Sequence, residues 1–140
     1  MKNLWATTDV EKFIESDPFI GYMIPSESEI GKWGWRGIEC DVGWNNIIID
    51  GLRRIALVDP DKTVRIALIK EKFGTMRFHV DFHTTKPSQK VYEDVSALTL
   101  MVEIDSTKVC EQCGTRDDVH LFNDYWIKTY CTECNQVFLD

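Results

Sequence analysis

From Trp44 the chain sets apolar side chains at Ile47, Ile48, Leu52 and Ile55, at +3, +4, +8 and +11, the spacing of one face of an α-helix lying on a core. The pattern predicts a helix running to about Leu57, ahead of Asp59-Pro60. Val64 to Lys72 follows as an apolar run of strand type. Beyond Phe73-Gly74-Thr75, the residues Met76, Phe78, Val80 and Phe82 alternate with Arg77, His79, Asp81 and His83, as a half-buried strand does. Gly74 makes the two strands a hairpin. Upstream, Thr8 or Asp9 caps a short helix over residues 8–16 that puts Val10, Phe13 and Ile14 on one face and ends at Asp17-Pro18. The stretch from Gly21 to Gly43 holds five glycines, Pro25, Tyr22, Trp33 and Trp35, and reads as turns and short extended pieces. Val91, Val95, Leu98, Met101 and Val102 then recur at helical spacing over residues 90–105. The order predicts an α+β fold, with helices covering one face of a small antiparallel sheet.

The last 31 residues change the chemistry. Cys110, Cys113, Cys131 and Cys134 fall as C-x2-C-x17-C-x2-C, the spacing that offers four thiolates to one Zn²⁺. A four-sulfur site leaves no position for water or substrate, so the motif points to a structural clamp. Gly114 lets the chain turn back under the metal, and Asn135 serves in the second pair. Between the pairs, Val119 to Phe122 and Tyr125 to Tyr130 predict strands joined by a two-residue turn at Asn123-Asp124. The unit reads as knuckle, hairpin, knuckle. Two disulfides, a redox C-x-x-C and an iron site are the competing readings. Met1 to Ile30 shows no basic stretch followed by an apolar one, so the compartment reads as reducing and disulfides are disfavoured. A redox pair needs a helix start within a thioredoxin-like unit, which neither pair clearly has. Iron bound by four sulfurs has the same geometry and stays open.

Length and charge add organisation. In 140 residues, 44% of them hydrophobic, the chain has material for one α+β domain over residues 1–106 and a zinc-binding subdomain over residues 107–140 packed on it. No apolar run approaches the roughly 20 residues that cross a bilayer, and the expected place is the cytoplasm of a bacterial host. The net charge of −7 is uneven. Residues 1–50 carry four basic and nine acidic side chains, residues 51–90 nine and four, and residues 91–140 three and ten. Zinc-bound thiolates make the tail more acidic still, which does not suit a finger gripping phosphate.

Three stretches together resemble a family of small uncharacterised bacteriophage and prophage proteins: GIECDVGWNNIIIDGLRRI (Gly37 to Ile55), IKEKFGTMRFHV (Ile69 to Val80), and CEQCG with WIKTYCTEC (Cys110 to Cys134). That family reads approximately as E-C-G-D-G-W before a helix, K-E-K-F-G-G-L-R-F-Y, then C-x-x-C-G and a later W-x-x-T-L-C-x-x-C or C-x-x-H. The chain departs from it at Asp41-Val42, Thr75-Met76 and His79. The resemblance spans residues 37–134 and implies a viral or prophage setting and a structural zinc, with no activity to carry over.

Other constellations weigh less. Cys113, His120, Asn123 and Cys134 superficially outline a shrunken HNH nuclease, but the segment lacks the adjacent Asp-His or His-His that would hold a catalytic metal. His79 and His83 lie about 13 Å apart on an extended strand, too far to share an ion without a bend. Cys40 reads as a small apolar residue whose neighbours Glu39 and Asp41 oppose thiolate formation. Trp33, Trp35 and Trp44, with Tyr22 and Phe19, either cap the core or anchor a protein contact; the acids Glu27, Glu29, Glu39 and Asp41 beside them favour a basic partner. Arg53, Arg65, Lys70 and Lys72 are the cations a nucleic acid would use, and Phe73 lies among them. The leading expectation is a non-enzymatic protein that binds another protein, with a small nucleic-acid-binding zinc module as the alternative.

Overall fold

A computed structural model describes residues 7–25, 35–82 and 86–139, with side chains from Val10 to Val137. Helix α1 (Thr7–Ser16) buries Val10 and Ile14 completely. A short 3-10 turn (Gly21–Met23) and the two-residue strand β1 (Ile38–Glu39) follow, and a second 3-10 turn (Val42–Trp44) leads into helix α2 (Asn45–Leu57). Strands β2 (Arg65–Lys72) and β3 (Thr75–Asp81) form the expected hairpin, and helix α3 (Gln89–Ser106) returns across it. Strands β4 (Val119–Asn123) and β5 (Ile127–Cys131) and helix α4 (Thr132–Leu139) complete the chain. The fold is α+β.

The first sheet is mixed rather than wholly antiparallel. β1 runs parallel to β2, with Ile38 opposite Ile69, and β3 pairs antiparallel on the other side, with Ile69 opposite Phe78. Ile38, Ile66, Ile69, Met76 and Phe78 are buried, and they meet Ile48, Leu52 and Ile55 of α2 and Val95 and Val102 of α3 in one core. Apolar area removed from water there stabilises the fold at about 25 cal/mol per Å². Gly51 lets the two helices cross closely, since a Cβ on it would lie 2.7 Å from Val102 Cγ2.

β3 is an edge strand, and α3 closes the edge. The Met76 amide donates to Ser106 Oγ at 3.0 Å and the Phe78 amide to Glu103 Oε2 at 2.8 Å, so two amides facing away from β2 are satisfied by side chains of the covering helix.

α3 departs from expectation in one respect. Met101, which shares the helical spacing of Val91, Val95, Leu98 and Val102, is exposed. The helix carries two apolar stripes: Val91, Val95, Leu98 and Val102 turn inward, while Ala97, Leu100, Met101 and Ile104 lie outward at i, i+3, i+4 and i+7. With apolar residues on both sides, periodicity alone does not settle which stripe the core takes.

Candidate metal centre

The four cysteines arrive from three kinds of local structure. Cys110 and Cys113 bracket a tight turn just after α3, Cys131 is the last residue of β5, and Cys134 lies in the first turn of α4. The second pair therefore opens a helix, which little in its sequence beyond Thr132 announces; the unit is knuckle, hairpin, helix. The turn between β4 and β5 is also longer than expected. Asn123 pairs with Ile127, leaving Asp124, Tyr125 and Trp126 as the loop.

The sulfur geometry suits one ion. All four ligand atoms lie within 4.8 Å of one another, and Cys113 Sγ and Cys131 Sγ are 3.8 Å apart. Metal–sulfur bonds of about 2.3 Å in a tetrahedron separate sulfurs by about 3.8 Å, whereas a disulfide needs about 2.05 Å. The cysteines form no disulfide. Gly114, at φ 84°, makes the turn, and its amide donates to the Cys110 carbonyl at 2.8 Å. The Cys134 amide points at Cys131 Sγ at 3.4 Å. Burial pushes the Cys110 thiol up, but the amides of Cys113, Cys131 and Gln112 outweigh it and hold the thiol below its ordinary value. Burial and neighbouring sulfurs push Cys113 and Cys134 the other way. A cation among the sulfurs offsets that cost, so the set fits a divalent metal.

Residues 37–55 and 69–80 converge on this unit. Gly43 donates to the Glu111 carbonyl at 2.7 Å, and a Cβ there would lie 2.3 Å from the Cys110 carbonyl oxygen. The Trp44 indole, fully buried, donates to the Val109 carbonyl at 2.9 Å. The β2–β3 turn docks on the second hairpin: Thr129 Oγ1 donates to the Gly74 carbonyl, and a Cβ on Gly74 would meet Leu121 at 2.5 Å. Just past the first knuckle, Arg116 forks onto Asp105 at the end of α3 with two bonds of 2.8 Å.

Sequence reasoning missed Glu111. It is 1% exposed, accepts the Asp41 amide at 3.0 Å through Oε2, and donates its own amide to the Thr129 carbonyl. Burial raises its carboxyl to about 7; the Asp41 amide and Lys128, 3.8 Å away, oppose the rise, while the charges of Asp41 and Glu71 add to it. Nothing in C-E-Q-C separates such a glutamate from a solvated one.

The remaining candidates disperse. Trp35 is half-buried against the main core and Trp44 is inside it, while Trp33 and His83 lie outside the described residues. Cys40 packs against the core with its thiol pushed up, first by burial and then by Glu111, Asp41 and Glu71. His120 engages Asp118 at 2.7 Å on the exposed side of β4. Arg53 faces Asp17 at 3.8 Å; Arg65 bonds the carbonyls of Lys62 and Val64 and lies over the Tyr22 ring. Lys70 and Lys72 occupy the far end of β2, roughly 20 Å along the strand from Arg65. The four cations expected to act together do not form one patch.

No family model, no curated protein and no solved structure matches the chain. No described helix is long and apolar enough to cross a membrane.

Proposed function

We propose that the chain is a non-enzymatic, zinc-stabilised accessory protein of bacteriophage or prophage origin that works in the bacterial cytoplasm by binding another protein, modulating or inhibiting a host or defence factor. The zinc reading is supported by the closed four-sulfur set, which has no place for a reacting ligand. The phage setting is supported by the resemblance of residues 37–134.

The outward stripe of α3 carries the protein-binding reading. Leu100, Met101 and Ile104 are each more than half exposed. Met101 and Ile104 border a groove between α2 and α3 that includes Ile47 and Leu98. Most charges on the rim are internally matched, Arg54 with Asp50 at 3.0 Å and Asp105 with Arg116, with Lys108 beside them, so a partner docks chiefly by apolar contact. Four apolar positions at i, i+3, i+4 and i+7 are the pattern an amphipathic helix presents to a complementary apolar ridge.

The test is affinity capture from host lysate with tagged wild-type protein and with Met101→Glu. One stoichiometric protein, captured by the wild type and lost from a variant of unchanged metal content and melting temperature, is the expected result. Equal capture by the variant, or turnover by the pure protein, overturns the proposal.

A further inference from the structure

We propose that the adjoining tips of the two hairpins, with the outward face of β2 and β3, form a binding site for single-stranded nucleic acid. This goes beyond the protein-binding reading and uses a different surface.

Two turns are locked side by side. Glu71 Oε2 accepts the Gly74 amide at 2.8 Å, Lys128 reaches Glu71 Oε1 at 3.6 Å, and Thr129 holds the Gly74 carbonyl. Between the tips lies a concavity of about 550 Å³ lined by Glu71, Lys72, Phe73, Tyr125, Trp126 and Lys128. Three rings stand at its rim in solvent: Phe73 is 65% exposed, Tyr125 77% and Trp126 69%. Phe73 is held at φ 53°, a left-handed conformation that is costly for a bulky residue and is kept only where the surroundings enforce it.

Cations lead into this concavity. In the β2–β3 register Lys70 lies directly opposite Arg77, and Lys72 opposite Thr75 follows one step along the same face, about 7 Å on. Like charges directly opposed across strands destabilise a sheet. Glu39 is in register with Lys70 from β1, yet among the described residues no ion pair engages Lys70, Lys72 or Arg77. Lys72 Nζ instead lies 5.8 Å from the Phe73 ring centroid. The tip's own acid, Asp124, is engaged by Asn135 Nδ2 at 3.4 Å.

A cationic row without ion pairs among the described residues, running into three exposed rings on a chain of net charge −7, is complementary to a polyanion whose bases are free to stack. The strongly acidic remainder confines a polyanion to this face. A duplex hides the base faces the rings would use, so the site selects single strands.

The test is fluorescence anisotropy with a labelled oligothymidylate of about 12 nucleotides and the intact metal-loaded protein. Binding should weaken about 20-fold between 50 and 200 mM salt, the slope for roughly three neutralised phosphates on a single strand. Phe73→Ala and Trp126→Ala should each weaken it roughly tenfold at constant salt, and Lys70→Ala with Arg77→Ala should flatten the salt dependence. Arg53→Ala and Met101→Glu should leave it unchanged, which separates this site from the α3 surface. Absence of binding at 50 mM salt, equal affinity for a duplex of the same length, or capture of an acidic protein through these rings in place of the oligonucleotide overturns the proposal.

Discussion

Asp59 shows what a single buried carboxylate does here. It is 1% exposed and accepts four hydrogen bonds: from the Val64 amide at 2.9 Å, the Thr63 amide at 3.0 Å, the Thr63 hydroxyl at 2.7 Å and the Tyr22 hydroxyl at 2.7 Å. Burial pushes its carboxyl up, but these donors outweigh burial and hold it below the ordinary carboxylate value. The folded state therefore binds the proton less readily than the unfolded state. The stability Asp59 supplies is present above the unfolded value of about 3.9 and is lost as pH falls through the lower folded value. Asp59→Asn turns two N–H donors toward other donors, so it should cost about 1–3 kcal/mol at neutral pH and flatten the acid limb of the stability–pH curve; urea titrations from pH 3 to 7 read both. An unchanged acid limb would show that another carboxylate governs it. The sequence marks Asp59-Pro60 only as a helix stop, because the donors that make Asp59 structural come from Tyr22 and from Thr63 and Val64 just ahead of β2, and no hydrophobic pattern reports them.

At the scale of elements, patterns with one buried side were legible and those with two were not. The α2 stripe and the β2–β3 alternation each bury one face, so Ile48, Leu52, Ile55, Met76 and Phe78 lie where their spacing puts them. α3 is apolar on two sides, so helical spacing does not separate the exposed Met101 from the buried Val102. β1 has two residues and exists through pairing with β2, which local sequence does not encode. The second C-x-x-C gave its ligands but not the helix it opens, since T-E-C-N-Q carries no strong start signal beyond Thr132. Gly43, by contrast, acquires its meaning only from docking. A methyl group there collides with the backbone of Cys110 and Glu111, neither of which yields like a flexible side chain. Gly43→Ala should therefore destabilise by about 1–3 kcal/mol and loosen the metal unit from the body. Faster amide exchange at Glu111 and Val109, with α1 unaffected, is the expected signature; protection unchanged at both positions would contradict the docking role.

On the scale of the whole molecule, two hydrophobic clusters share one chain. The larger has α1, α2, α3 and the mixed sheet around it; the smaller consists of the buried Cys110, Tyr130, Cys131 and Cys134 with Cys113, Val119 and Phe122 packed on them. A cluster that small stabilises little by burial alone, so a metal held by the four sulfurs would supply much of its folding free energy. Replacing Cys131 by Ser should unfold β4, β5 and α4 while the larger core persists, visible as collapse of the tail amide resonances alone; a native tail spectrum in that variant would remove the clamp. The Arg116–Asp105 fork is largely exposed and should matter far less, with Arg116→Ala costing less than about 1 kcal/mol in melting experiments. The metal is the claim on which the others depend, and the most direct measurement is elemental analysis of protein purified without added metal, beside its Cys131→Ser variant. One zinc per chain in the wild type and none in the variant is the predicted result. A wild type with no metal, or the same zinc content in both proteins, would contradict it.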